Sequence, residues 1–274
     1  MSASVPRFET LAVAIEGSES LRGRIARVTL DRPDRLNALS ANLLAEVVAC
    51  CDWLHTRDDV RVVILDGAGR SFSAGFDLGD FTSSRSGGSS RDGADLGRRA
   101  AEALTNVPQI TLAAVHGNCV GGGVVLVSAC DLRFAASDAR FVIPEIDLGI
   151  PLAWGGIPRL VREIGPARTK ELVLLCRPFG AEEAVRIGFL NGHVARESLA
   201  GHVDALAAEL AGKSAYALRT TKQQVNAVVE EIAGTGRNAG DADALVFALH
   251  DPEGRAVQAE YLARLAARRS TKET

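Results

Sequence analysis

The sequence has no CxxC pair, and its cysteines (Cys50, Cys51, Cys119, Cys130 and Cys176) number 5, an odd count. That argues against a disulfide scaffold and a cysteine-rich zinc site, and it suits a reducing compartment. Charge of one sign is missing too: 31 Lys and Arg stand against 34 Asp and Glu, for a formal net charge of −3. No general basic footprint for nucleic acid results. The opening residues MSASVPRFET lack the apolar core of a secretory signal. A cytoplasmic protein is the expectation.

Several catalytic signatures are also absent. No GxxxxGK[ST] phosphate loop occurs, and no HxxxH spacing links His55, His116, His193, His202 and His250. Gly67 and Gly69 begin a GxG, but Phe72 stands where a dinucleotide fingerprint needs a small residue. Ser73–Ala74–Gly75 looks like the end of a nucleophile elbow, yet Ser71 replaces its first glycine. Metal and nucleophilic-serine chemistry therefore rank low.

What is present is an ordinary core. The chain has 274 residues, 47% of them hydrophobic, which suits one large domain or a domain with an appendage. Residues 111–130 carry no Asp, Glu, Lys or Arg and include a GxxxG spacing at Gly117 and Gly121. That is about the length of a membrane span. Gly121, Gly122 and Gly123 would break such a helix, so a buried strand, a glycine turn and a buried helix fit better. β-Branched runs predict strands over Arg24–Leu30, 60–66 and Ile110–Val115, and helical spacing covers 40–55 and 95–105. Ser40 suits an N-cap. Strand alternating with helix implies parallel strands and an α/β architecture. We place an α/β core at 1–195 and a helical subdomain at 196–274, where Val203, Leu206, Ala207 and Leu210 form one apolar stripe. Residues 82–95 are polar and rich in Gly and Ser, and read as a surface insertion or a flexible flap.

Two glycine-bearing turns follow predicted strands, GAGRSFSAGFDL at 67–78 and HGNCVGGG at 116–123. They are either tight structural turns or places where backbone N–H groups meet a ligand and form an oxyanion hole.

At these motifs the sequence resembles the crotonase, or enoyl-CoA hydratase/isomerase, superfamily over nearly its whole length. DRPDRLNAL at 31–39, GAGRSFSAGFDL, AVHGNCVGGG with CDLRFA, and FVIPEIDLGI followed by Trp154, Gly155 and Gly156 stand in family order. The resemblance implies a spiral of ββα units (the ClpP/crotonase fold), a helical C-terminal trimerisation region, and a homotrimer or dimer of trimers. It implies an acyl-CoA thioester as ligand, with coenzyme A belonging to the substrate and no separate cofactor or metal. Nucleic acid and membrane are not expected partners. The oxyanion donors map onto the backbone N–H groups of Phe76 and Gly122. Substrate and CoA contacts map onto Arg35, Leu36, Ala74, Asp77 and Leu78. The basic residues Arg264, Arg268 and Arg269 read as a solvated face, or as reaching a CoA phosphate across a subunit boundary.

The departures bear on the chemistry. Hydratases of the family use two glutamates; the second is present as Glu145, while Val125 occupies the place of the first. Hydration needs a positioned water, a base and an acid. A single carboxylate suffices to move a double bond, so Glu145 favours the shift of a 3-enoyl-CoA to a trans-2-enoyl-CoA. The residues Phe141, Val142, Ile143 and Ile146 would supply its apolar surroundings. Ala153 stands where dienoyl-CoA isomerases place an Asp, which counts against that reaction. Asp147 would share the face of Glu145 if the segment is extended, and otherwise reads as a surface or capping residue. Val125 and Trp154 are acyl-pocket candidates, Trp154 equally a core residue. The rival readings are a hydratase or hydratase-lyase working with one glutamate, and a non-catalytic acyl-CoA-binding protein.

Overall fold

The computed structural model describes residues 4–16, 23–77 and 91–270. Its main sheet has six strands in the order β1-β2-β3-β4-β6-β9. These are β1 (Leu11–Glu16), β2 (Arg24–Leu30), β3 (Val60–Gly67), β4 (Ile110–Val115), β6 (Leu132–Ala136) and β9 (Gly192–Val194). β1 pairs antiparallel with β2, and every later neighbour in this sheet is parallel. β5 (Asn118–Val120), β7 (Arg140–Val142) and β8 (Phe179–Gly180) form a second, three-stranded sheet.

Parallel strands need covering on both faces, and β3 shows how the residues arrange it. Val63 and Leu65 join the larger core, while Val62 and Ile64 point into a second cluster on the opposite face. Each such side chain, fully buried, contributes about 1.5–3 kcal/mol. The larger core receives Leu43, Leu44, Val47 and Leu54 from α1 (Ala41–His55) and Ala100, Ala101 and Leu104 from α2 (Arg91–Asn106). The second cluster is closed by α6 (Leu199–Ala211) through Leu199, Val203 and Ala207, with Leu206 and Leu210 packed alongside. The apolar stripe of that helix thus finds the back of the sheet.

The Ser40 hydroxyl accepts the Leu43 N–H at 3.2 Å, so the expected cap of α1 is in place. α2 begins earlier than its apolar spacing indicated. Residues 91–94, expected to belong to the polar loop, are helical. Ala94, Gly97 and Ala101 lie on the buried side, and Arg98 ties Asp95 and Glu102 together along the helix. Residues 82–90 and Leu78 lie outside the described residues. The stretch 111–130 becomes β4, the turn through β5, and the short helix α3 (Gly122–Ser128), all of whose residues are buried. α4 (Gly156–Leu175) is interrupted at Gly165, before Pro166. α5 (Ala181–Arg186) precedes β9.

Beyond Val194 the described chain is helical, with α6, α7 (Ala215–Ala233), α8 (Asp241–His250) and α9 (Pro252–Ser270). Lys222 anchors α7 below β4, its ammonium donating to the Gln109 carbonyl and Asp131 Oδ2, both at 2.8 Å. All five cysteines are unbridged and buried. Among the described residues, no helix is long and apolar enough to cross a membrane.

Candidate active site

The two glycine-bearing turns leave the ends of neighbouring parallel strands and are joined to each other. Phe72 N–H donates to the His116 carbonyl at 2.8 Å, Ser73 N–H to Asn118 at 3.0 Å, and Val120 N–H to Ser73 at 3.0 Å. Gly75 has φ +85, and a Cβ there would stand 2.9 Å from the Val120 carbonyl oxygen, so glycine permits the close approach. Asn37 pins the first turn from beneath. Fully buried, it donates through Nδ2 to the carbonyls of Ala68 and Ser71, both at 2.8 Å. Ser73 is equally buried and gives its hydroxyl to the Asn37 carbonyl at 2.9 Å, a structural role consistent with setting it aside as a nucleophile.

This framework orients the backbone at Phe76. Leu39 N–H donates to the Gly75 carbonyl and Asp77 N–H to the Leu39 carbonyl, which turns the Phe76 N–H to the opposite edge of the chain. Gly122 is the first residue of α3, where an N–H has no intrahelical acceptor. The aromatic ring of Phe76 meets the Trp154 indole edge-on, with centroids 5.8 Å apart. The indole in turn lies against Gly122, where a Cβ would stand 2.2 Å from Cζ3.

Glu145 reaches the same place. The chain leaves β7, passes Pro144, and turns through a short 3-10 helix at Ile146–Leu148, with the N–H groups of Leu148 and Ile150 both donating to the Glu145 carbonyl at 3.0 Å. Gly149 has φ 69 and reverses the chain, so residues 150–154 form the facing wall. The Glu145 carboxylate lies against Gly121, where a Cβ would be 2.4 Å from Oε1. The residue as a whole is only partly buried, but Oε2 is sealed from solvent and has no hydrogen-bond partner among the described residues. Burial therefore pushes the carboxyl up to about 7, with one backbone hydrogen bond acting weakly the other way.

These groups face a cavity of about 110 Å³. Its walls include Leu44, Phe76, Ala94, Gly122, Val125, Ile150, Leu152, Ala153, Trp154, Leu245 and Leu249, and Glu145 is the one titratable residue among those described. Val125 and Ala153 do face the reacting space, so neither position brings a second acid to it. Trp154 combines both roles considered for it, as it lines the cavity and belongs to the core.

The apolar surroundings of Glu145 differ from the set expected. Phe141 is wholly buried in a stack with Phe179 and Phe189 away from the cavity, and Ile146 is 38% exposed. The 3-10 turn redirects the chain, and the walls come instead from residues 150–154 and from α8. Asp147 is exposed on that turn.

Of the remaining positions, Arg35, Leu36, Ala74 and Asp77 belong to two segments that contact each other. Arg35 is exposed at the end of a short 3-10 turn, and the Leu36 carbonyl accepts the Ala74 N–H at 2.8 Å. Asp77 forms an ion pair with Arg32 at 2.9 Å, which fixes its carboxylate within the protein. Arg264 is exposed on α9, while the side chains of Arg268 and Arg269 lie outside the described residues. Asn37, Gly97, Asp241, Leu245 and Leu249 were not singled out from the sequence. The asparagine lay within a quoted motif, whereas the α8 residues carry only a helical apolar spacing. Among the described residues, no cluster of three or more His, Cys, Asp or Glu is placed to hold a metal.

The family model for enoyl-CoA hydratase/isomerase matches residues 21–259. A short-chain-enoyl-CoA hydratase of Clostridium acetobutylicum is 34% identical over 205 residues, covering 74% of this chain and 78% of that protein. A peroxisomal Δ(3,5)-Δ(2,4)-dienoyl-CoA isomerase of Arabidopsis thaliana is 34% identical over 229 residues, or 78% of this chain and 81% of that one. Among solved structures, an enoyl-CoA hydratase/isomerase from Xanthobacter autotrophicus Py2 superposes with a TM-score of 0.81 at 27% identity. The match covers 96% of this chain and 99% of that chain, so the crotonase fold expected from the motifs is the fold of the molecule.

Proposed function

Because the chain belongs to the enoyl-CoA hydratase/isomerase family, we propose that it moves the double bond of a 3-enoyl-CoA thioester to the trans-2 position, with Glu145 as sole acid and base. The observation that carries this reading is that Glu145 is the one carboxylate among the described residues of an otherwise apolar cavity, faced by Val125 and Ala153. The Glu145 carboxylate takes a proton from C2, and the electron pair passes into a dienolate whose charge rests on the thioester oxygen. The N–H groups of Phe76 and Gly122 hold that oxygen, an arrangement in which each donor is worth about 3–4 kcal/mol in the transition state. The protonated Glu145 then returns its proton to C4, leaving the double bond between C2 and C3. No atom is gained or lost, and no metal or prosthetic group enters the scheme.

A carboxyl poised near 7 suits both halves of this cycle, since it accepts and gives up a proton with little cost in either direction. Arg35, Leu36 and Ala74 would flank the CoA moiety. Self-association as a homotrimer or a dimer of trimers is part of the same reading. It is supported by Val225, Val228 and Ile232, which stand 55%, 58% and 75% exposed along one side of α7. Light scattering tests the assembly.

The reaction is tested by incubating the protein and its Glu145→Gln variant with 3-hexenoyl-CoA and with crotonyl-CoA, following bond position by NMR and water addition by mass. Glu145-dependent migration of the double bond without a mass change is expected. A gain of one water would make the protein a single-glutamate hydratase. Saturable binding of thioesters without turnover would make it a carrier.

A further inference from the structure

We propose that the Trp154 indole is the wall that restricts this site to short acyl groups, by filling a slot that would otherwise run on between α2 and α3. The inference rests on the acyl-CoA reading above, though not on which reaction follows binding.

The slot is defined by two glycines on different helices. A Cβ on Gly97 of α2 would stand 2.0 Å from both Cδ2 and Cε2 of the indole, and a Cβ on Gly122 of α3 2.2 Å from Cζ3. Neither helix therefore accepts even a methyl group on the face turned towards Trp154. The two rings of the indole occupy the whole gap between these backbones, next to the carbonyl-holding end of the site.

The side chain is held there against a backbone preference. Trp154 has φ 63, in the left-handed region, which costs a non-glycine residue roughly 1–2 kcal/mol. Such a conformation persists where the surroundings enforce it. Here Gly155 follows with φ 70, and its N–H donates at 2.8 Å to Oδ2 of Asp241, at the start of α8. The same helix sends Leu245 and Leu249 to the cavity wall. Asp241 acts as a positioning residue, fixing the turn from which the indole projects.

With the indole in place the cavity amounts to about 110 Å³ and is almost wholly apolar. An apolar void of roughly 150 Å³ accommodates benzene, so this one suits an acyl tail of a few carbons. Removing the indole would join the cavity to the space beside Gly97 and lengthen it.

The test measures binding of saturated, unreactive thioesters by calorimetry, with butanoyl-, hexanoyl- and decanoyl-CoA as probes. The wild type is expected to bind the two shorter thioesters better than decanoyl-CoA. Trp154→Gly suits the native φ and should raise decanoyl affinity relative to butanoyl by about tenfold or more, the scale on which apolar pockets discriminate chain length. Trp154→Phe keeps an aromatic wall but withdraws one ring of the indole, and should raise decanoyl affinity relative to butanoyl by a smaller factor. An unchanged preference in Trp154→Gly, with a normal unfolding transition, would overturn the proposal. If that variant does not fold, an unchanged preference in Trp154→Phe overturns it instead. Failure of the wild type to bind any of the thioesters would overturn this inference together with the acyl-CoA reading. Binding with the predicted preference but without double-bond migration in 3-hexenoyl-CoA would leave the wall standing and remove only the isomerase.

Discussion

Replacing Glu145 with glutamine should stabilise the protein while disabling it, and the stabilisation should depend on pH. The carboxyl is raised from 4.5 to about 7 by burial. At 1.36 kcal/mol per pH unit, that difference amounts to about 3 kcal/mol between the protonated and ionised forms. The sign follows from which state binds the proton more tightly. Between these two values the folded protein holds a proton that the unfolded chain has lost. Glu145 therefore imposes no penalty below pH 4.5. Its contribution to stability falls as pH rises towards 7, and the full cost is carried above that. Glutamine is neutral throughout, so any fixed effect of its amide cancels between two pH values. Urea unfolding of both proteins at about pH 5 and pH 8.5 should show the variant gaining about 2–3 kcal/mol relative to wild type at the higher pH. A stability difference independent of pH would refute the burial argument. In the same variant, loss of the general base should lower turnover by about 10²–10⁴. In the wild type, kcat/KM should fall as pH drops below about 7, because only the ionised carboxylate accepts the C2 proton.

Other substitutions test separate steps. Val125→Glu brings a second carboxylate to a position that is 1% exposed and faces the cavity. It should raise water addition to crotonyl-CoA while lowering the melting temperature, and an unchanged ratio of hydration to isomerisation would separate reaction choice from this position. Lys222→Ala leaves Asp131 without its ammonium partner, and breaking such a buried pair typically costs about 3–5 kcal/mol. Urea denaturation reads this directly, and a loss below about 1 kcal/mol would show the pair to be solvated. Ser40→Ala removes the acceptor for the Leu43 N–H and should cost about 1 kcal/mol, read in the same assay, with turnover unaffected.

Much of this architecture was legible in the chain because local chemistry and tertiary role coincide. β2 and β4 read as strands since their β-branched residues are buried on both faces, and α1 was marked by its serine cap as well as its spacing. Val125, Gly122 and Glu145 were legible as one site through the spacing of recognisable motifs. What stayed hidden depends on distance in sequence. The start of α2 escaped notice because Arg91 and Asp92 look like loop residues, and only the packing of Ala94 and Gly97 against other elements shows the helix is wanted there. The surroundings of Glu145 were read from its sequence neighbours, but the turn at Ile146–Leu148 carries Ile146 outward and leaves burial to Leu152, Trp154 and α8. Leu245 and Leu249 lie about a hundred residues further along the chain. Their periodicity announces a helix without saying which surface it covers. Nor does any local signal place Trp154 in the left-handed region, since that conformation is imposed by Gly155, Asp241 and the two facing glycines.

The energetics of Glu145 separate function from folding more sharply than its sequence context does. Buried charged groups that serve a structure are normally paired, as Lys222 is with Asp131 and Arg133 is with Glu163. Among the described residues Glu145 has no such partner, its Oε2 is sealed, and its ionised form works against the fold. A glutamine or a leucine in its place would serve packing as well or better. A side chain that lowers stability at neutral pH and finds no partner for Oε2 among the described residues is the kind that function, rather than packing, retains. The absence of a second carboxylate at Val125 sharpens the point. With two, the protons would be shared and the titration would belong to the pair. With Glu145 as the one carboxyl among the described wall residues, the cavity holds a group that burial lifts to about 7, bordered by Gly121 and Gly122 on one side and by apolar walls on the others. Among the described residues, that leaves one group at the cavity to take up and return a proton, which is the premise of the isomerase reading proposed above.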